Sequence, residues 1–486
     1  MNRKIAFGFW LLAFGFLPAG AQRVLSLDSC RQMALRNNKQ MSVSKVKQDV
    51  AANLRKSART KYLPHVSAIG TYQYTSEPIS ILSETQKTEF SNLGTTIGTG
   101  LVQSMAELML QHPALAQVMA KVGPVSEEML NGLGQKIVDA FDTDTRHLFV
   151  GSVMFTQPLF MGGSIIAMNK MADINEKMAA NSMEARRQAT IYKLDQAYWQ
   201  VVSLCHKQKL AESYLDLVKK LDTDVYKMIE EGVATKSDGL SVDVKVNEAE
   251  MTLTKVNDGL VLSRMLLNQL CGLPLDEEVI LADEQKDQIA VVKLTPELNV
   301  DAAVSNRPEL KMLQNAVDLS KQTTNILKAG NLPQLLLTGG YAASNPNMLN
   351  GFERRFRGFW NVGVSLRVPI WNWGDVMYKV RASKGATSIA SLELAEAREL
   401  IELQVNQSTF KVDEANKKLT MAMKNIQRAD ENLRTANLGF HEGVITPTTV
   451  MEAQTAWLQA QSQKIDAEID VKMSQVDLQK ALGTLE

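Results

Sequence analysis

Few residues in this chain are spaced for chemistry. The three cysteines, Cys30, Cys205 and Cys271, are too few and too far apart in the sequence for a disulfide framework or a zinc site. No phosphate-binding, dinucleotide-binding or nucleophile-elbow motif is present. The histidines lack the H-E-x-x-H spacing of a helical zinc site; they are His65, His112, His147, His206 and His441. The sequence therefore predicts no enzyme, no cofactor and no metal site.

Composition and the amino-terminal residues restrict the class of protein. Lysine plus arginine and aspartate plus glutamate both number 53, so no nucleic-acid partner is expected. Two basic residues, an apolar run and small residues at 19 and 21 predict a signal peptide over 1–21. Cys30 follows it without the small residues that precede a lipidated cysteine. Beyond residue 21 no apolar run reaches the ~18 residues of a spanning helix, so a membrane protein would need strands.

Two glycine turns show how the elements are organised. Gly232 and Gly443 each interrupt a long helical pattern, and glycine readily takes the left-handed conformation that ends a helix. They stand 211 positions apart, and the same offset places residues 157–163 over 368–374. The chain is therefore interpreted as a duplication, with a first repeat at 22–272, a linker at 273–294 and a second repeat at 295–486.

Each repeat is predicted to hold a short helix, two strands, a long helix and a returning helix. Helices are expected at 26–61, 164–231, 235–270, 296–329, up to 441, and 448–482, and strands at 65–75, 149–157, 335–343 and 359–368. The long helix of repeat one carries a coiled-coil seam of Ile191, Leu194, Tyr198, Val201 and Cys205. The first helix carries an apolar stripe of Met33, Val43, Val46, Val50 and Leu54.

An insertion at 78–147 lengthens the first repeat. It is predicted to be a long loop with short helices at 101–119 and 126–141. It acts either as a plug over a pore or as a tolerated surface loop.

The strands set a requirement for assembly. Four membrane strands leave open edges, and even eight enclose only a side-chain-filled interior. Three copies give about twelve strands, enough for an aqueous lumen. The predicted fold is mainly α with a small β part: duplicated antiparallel helices form an α-barrel tunnel, and four strands per chain complete a trimeric transmembrane β-barrel.

Short motifs in a fixed order give the sequence a family resemblance. The chain resembles the TolC-like outer membrane factors, the exit ducts of tripartite efflux pumps and type I secretion systems, over nearly its whole length after residue 21. The motifs that carry this resemblance lie at residues 25–27, 34–38, 62–64, 158–163, 306–310, 331–333, the two tip turns, 452–454 and 481–483. The resemblance implies a homotrimer in the outer membrane with its helical part in the periplasm, so the insertion at 78–147 is expected to face the outside of the cell. Its implied partners are a periplasmic adaptor (a membrane fusion protein), an inner membrane transporter and outer membrane lipid.

The resemblance also implies an entrance at the helical tips. Family positions that carry an acidic ring correspond to Thr449 and Glu452, and the acidic residue of the first tip to Asp238. The family's latch arginine corresponds to Ile445 and its aromatic partner to Phe440, which puts that latch in doubt. Three Glu452 carboxylates around a threefold axis would repel one another and favour cations. The alternatives are that Glu452 is a solvated helix residue and that Asp238 caps the returning helix.

Three tryptophans near the last strand are candidates for the membrane interface. Trp360, Trp371 and Trp373 are read as a cluster at the end of that strand, where amphipathic rings suit the lipid headgroups. Ordinary packing at the strand-to-helix junction is the alternative.

The predicted function is that of an outer membrane channel subunit of a tripartite efflux pump or type I secretion system. It passes exported substrates from the periplasmic entrance to the cell exterior without chemistry. A secreted periplasmic coiled-coil scaffold or adaptor, with its strands in a soluble hairpin domain, is the alternative.

Overall fold

The computed structural model describes residues 23–77, 82–98, 127–141, 145–286, 289, 300–347 and 354–486. The predicted signal peptide at 1–21 and helix at 101–119 lie outside these residues. The chain divides into a helical unit, Met1–Arg55, Lys170–Thr324 and Arg381–Glu486, and a second unit, Lys56–Asn169 and Asn325–Val380, which holds a four-stranded sheet.

The element order repeats itself. The first repeat contains β1 (Arg23–Leu25), α1 (Leu27–Asn37), α2 (Lys39–Thr60), β2 (His65–Tyr74), α3 (Glu84–Ser91), α4 (Glu127–Phe141), β3 (His147–Met161), α5 (Ser164–Glu230) and α6 (Lys236–Cys271). After β4 (Val279–Leu281), the second repeat contains α7 (Val300–Asn306), α8 (Pro308–Ala329), β5 (Gln334–Asn345), β6 (Arg357–Arg367), α9 (Asp375–His441) and α10 (Pro447–Leu482).

The long helices confirm the predicted elements closely. Both α5 and α9 have 67 residues, roughly 100 Å at the rise of an α-helix. Both returning helices, α6 and α10, have 36 residues and end on a left-handed glycine, Gly272 or Gly483. The two copies therefore keep the 211-residue offset from start to end of these helices.

Each predicted first helix is in fact two helices. In repeat one the break falls at Asn38 and in repeat two at Arg307, instead of one continuous helix. The break residues bind the end of the returning helix. Asn37 Nδ2 donates to the Cys271 carbonyl oxygen at 3.0 Å, and Arg307 Nη1 donates to that of Lys480 at 2.8 Å. These bonds satisfy carbonyls that a helix end leaves unpaired.

The core of the helical unit follows the predicted seam. Ile191, Leu194, Tyr198 and Val201 are at most 1% exposed. Arg31 and Asp195 form a two-pronged ion pair beside it, with N–O distances of 2.9 and 2.6 Å.

The predicted apolar stripe of α2 is not buried in the chain. Its four residues Val43, Val46, Val50 and Leu54 are 52–62% exposed, whereas Met41 and Ala51 of the same helix are buried. The periodicity correctly indicated a helix but not which face packs within one chain.

The linker region contains a strand that the sequence pattern did not predict. β4 pairs in parallel with β1, Val24 opposite Ile280. Three residues paired across more than 250 positions give no periodic signal.

The sheet has the order β2-β3-β5-β6, and all neighbours are antiparallel. β3 continues to Met161 and not to the predicted end at Gln157. The register of its pairing with β5 shifts between Pro158 and Phe160, because proline cannot donate a backbone hydrogen bond to the neighbouring strand.

In the insertion, α4 matches the helix predicted at 126–141. Asn131 of α4 accepts from the backbone of Gly94 at 2.7 Å.

No helix within the described ranges combines the length and the apolar character needed to cross a membrane.

Candidate functional site at the helical tips and on the sheet

The two tip turns have the predicted glycine conformation. Gly232 and Gly443 have φ angles of 70° and 74°. In each turn the next residue donates back across the helix end, Val233 to the Met228 carbonyl oxygen and Val444 to that of Gly439, both at 2.8 Å. These hydrogen bonds are those of a Schellman motif, which ends a helix and requires a residue in the left-handed conformation.

Asp238 is a capping residue of the first tip. Its Oδ2 accepts from the Thr235 backbone N at 2.9 Å and from Thr235 Oγ1 at 2.6 Å, and Thr235 Oγ1 accepts from the Asp238 N. This is a capping box, the alternative that the sequence left open. The Thr235 hydroxyl and backbone hydrogen bonds lower the pKa of Asp238.

Thr449 is the same position in the second tip. Its backbone N donates to Thr446 Oγ1 at 3.4 Å, and the two hydroxyls lie 3.1 Å apart. The second tip therefore has the same turn with a neutral residue where the first has a carboxylate.

The tips share one apolar core. Residues of α5, α6, α9 and α10 form it, and its fully buried members include Val218, Val225, Val242 and Val450. Phe440 is 4% exposed, and Ile445 packs on the same cluster. The two family latch positions are thus apolar contacts within this chain.

Glu452 lies on the solvent side of α10, one turn after Thr449, beside a surface groove that also contains Lys245 of α6. Lys245 binds Glu248 at 2.7 Å. Within the described part of the chain, no hydrogen bond or ion pair holds the Glu452 carboxylate.

An acidic pair at the first tip was not predicted from the sequence. Tyr226 Oη donates to Asp243 Oδ2 at 2.9 Å, and Asp222 lies beside that carboxylate. Burial and the Asp243 charge raise the pKa of Asp222. Asp222 and Asp243 are almost equally distant in sequence from Gly232. In a helical hairpin such residues face each other, which is the signal that could have found them.

The two faces of the sheet differ in polarity. Successive side chains of a strand point to opposite faces, so the paired register assigns each residue to one face. One face is apolar and aromatic and includes Val66, Tyr72, Phe149, Val153, Leu337, Tyr341, Trp360, Val362, Val364 and Leu366. The other is mainly polar and includes Ser67, Thr71, Gln73, Ser152, Thr156, Thr338, Asn361, Ser365 and Arg367.

The three tryptophans do not form the predicted single cluster. Trp371 and Trp373 follow β6 and meet edge to face with centroids 5.7 Å apart. Trp360 is near the start of β6, roughly 23 Å away along the strand from its last residue, Arg367. All three rings are at least 75% exposed, so the chain itself does not bury them.

No group of three histidine, cysteine or acidic side chains that could hold a metal ion occurs among the residues described.

Comparison with known proteins shows what the chain is similar to. Residues 299–484 match the family model described as outer membrane efflux protein. The outer membrane protein TolC of Vibrio cholerae is 22% identical over 348 residues, 70% of this chain and 77% of that protein. These matches support a TolC-like outer membrane factor.

A second relative and a solved structure with the same fold are also similar to the chain. The alkaline protease secretion protein AprF of Pseudomonas aeruginosa is 26% identical over 158 residues, 32% of each chain. The crystal structure of the outer membrane protein VceC from Vibrio cholerae has a TM-score of 0.71 at 13% identity, covering 94% of this chain and 96% of that one. Together the comparisons support an outer membrane duct for efflux or secretion, with its helical part in the periplasm. Its relatives are channels and not enzymes.

Proposed function

We propose that this outer membrane factor works as a homotrimer, the exit channel of a tripartite efflux pump or type I secretion system. The observation that carries the proposal is the exposure of the two edge strands of the sheet. β2 and β6 are the outer strands of the sheet, all ten residues of β2 are exposed, and so are ten of the eleven in β6. Unpaired strand edges are not tolerated in lipid, so each edge needs a strand from a neighbouring copy.

The apolar surface of the helical unit supports the same assembly. The α2 stripe is uncovered in one chain, as is an apolar row on α6 that includes Val261, Leu262 and Leu266, each more than half exposed. Uncovered apolar surface of this extent marks an interaction site. Neighbouring copies would bury it.

The faces of the sheet fit a barrel wall. Strands of 10–15 residues are long enough to span tilted, with the apolar face towards lipid and the polar face towards water. Trp360 at one end and Trp371 with Trp373 at the other then lie at the two interfaces.

Partners and cargo follow from the type of duct. The proposed partners are a periplasmic adaptor and an inner membrane transporter that dock on the helical unit.

Removing the gene and measuring drug sensitivity together with secreted proteins separates efflux from secretion. Heat-modifiable trimers in the outer membrane fraction are expected; a heat-insensitive monomer in the periplasmic fraction would favour the scaffold alternative.

A further inference from the structure

Two cysteines that are far apart in the sequence meet in the helical unit. Cys30 lies on α1 and Cys271 is the last residue of α6, 241 positions later. They are 0% and 1% exposed. Cys271 Sγ lies 3.9 Å from the Cys30 carbonyl oxygen, and the two thiols are close enough to hydrogen-bond. The spacing of the cysteines in the sequence did not predict that these two meet.

The backbone around the pair is held at close approach. Asn37 Nδ2 binds the Cys271 carbonyl oxygen, and a Cβ built on the next residue, Gly272, would lie 2.5 Å from Asn37 Cβ. Helix α1 thus contacts the end of α6 through backbone and short side chains. Disulfides need such proximity, with the two Cβ atoms about 4 Å apart.

We propose that Cys30 and Cys271 are joined by a disulfide bond in the exported protein, and that the free thiols of the structure are its reduced form. The proposal follows from the outer membrane location, because disulfides form and persist outside the cytoplasm. It does not depend on the oligomeric state or on the cargo.

The bond forms by thiol–disulfide exchange with a periplasmic dithiol oxidase. One cysteine thiolate attacks the disulfide of the oxidase, which gives a mixed disulfide and releases one oxidase thiolate. The second cysteine thiolate then attacks the sulfur of the first. The S–S bond between Cys30 and Cys271 forms, and the oxidase leaves as its dithiol, carrying the two electrons and the two thiol protons.

Folding sets the order of events. The hydrogen bond to Cys271 and burial raise the pKa of the Cys30 thiol, and both thiols are at most 1% exposed, so an oxidase cannot reach them in the folded protein. Oxidation therefore precedes closure of the core around Leu25, Tyr198 and Leu281. Once the core has closed, the same burial keeps reductants away.

Cys205 provides an internal control. It belongs to the same buried cluster but lies on α5, and its charged neighbours are Glu284 and Lys209. We expect it to remain a thiol.

The test uses the wild-type protein from outer membrane fractions, acid-quenched and then unfolded in denaturant with a polyethylene glycol maleimide. One thiol per chain should react without reductant and three should react after reduction. Trypsin should release residues 24–31 and 265–286 as one species that separates on reduction. Three reactive thiols without reductant would overturn the proposal, as would a linked species containing residues 194–207, which carry Cys205.

A second measurement separates the bond from general effects of reductant. Reductant present during unfolding should lower the melting temperature of the wild type and of Cys205→Ser by the same amount, and should leave Cys30→Ser unchanged. An equal decrease in Cys30→Ser would contradict the bond.

Discussion

Trp373 stands where the first repeat has Gly162, 211 positions earlier, and both residues have a left-handed backbone, with φ of 53° and 61°. Glycine is required in the first repeat, because a Cβ there would lie 2.8 Å from the Ala329 carbonyl oxygen. A bulky residue in this conformation costs roughly 1–3 kcal/mol. Trp373 is 86% exposed, so burial within the chain does not offset that strain. The proposed membrane interface would offset it.

Replacing Trp373 tests the membrane-interface role. Trp373→Gly removes the backbone strain and also the ring, so we expect fewer heat-resistant trimers in the outer membrane. Trp373→Phe keeps an aromatic ring and should retain most of them. The yield of unboiled trimer on gels measures both, and a higher yield for Trp373→Gly would show that the ring has no anchoring role.

The first tip should be acid-sensitive and the second should not. The capping carboxylate Asp238 has a lowered pKa, so its contribution to stability is present above the ordinary aspartate pKa and is lost as pH falls through the lower, folded value. Thr449, at the equivalent position, does not titrate. Hydrogen exchange of the two tips from pH 6 to pH 3 should show faster opening near Gly232 alone.

The cap itself can be removed in either tip. Thr235→Ala and Thr446→Ala should each destabilise their hairpin by about 1 kcal/mol, because each hydroxyl caps the returning helix. Hydrogen exchange at pH 7 measures this, and only the Thr235→Ala protein should lose the acid sensitivity of the first tip.

The Asp222–Asp243 pair should weaken the first hairpin at neutral pH. Because the pKa of Asp222 is raised, the pair is most favourable at low pH and becomes less so as pH rises through that value. Asp222→Asn should therefore slow hydrogen exchange around residues 222–243 at pH 7, with no effect at pH 3. Asp224→Asn, two residues away and paired with Lys227, is the control and should not slow exchange.

Glu452 is proposed to line the entrance. Glu452→Gln should reduce the cation preference of single channels in planar bilayers. Glu399→Gln, an exposed carboxylate in the middle of α9, should leave the preference unchanged. If both variants behave like the wild type, Glu452 is a solvated helix residue.

Much of this fold could be predicted because it is periodic and duplicated. The tip glycines, the seam residues Leu194 and Tyr198 and the alternation of Trp360, Val362 and Val364 are local signals, and the structure confirms them. The relation between Gly232 and Gly443 also predicted that the long helices match.

What could not be predicted depends on contacts between distant residues or between chains. β4 is a strand only because β1 pairs with it, and Cys30 meets Cys271 only after α1 docks on α6. The stripe at Val46 and Val50 predicts burial, but the described part of one chain leaves both residues more than half exposed. Roles at the tips, such as that of Asp238, depend on capping geometry that composition does not show.

The mass and conductance of the detergent-purified protein test the central claim most directly. Native mass measurement should give three chains per particle, and the same particles should conduct ions across planar bilayers. A monomer that does not conduct ions would contradict the proposal that three copies contribute their strands to one barrel.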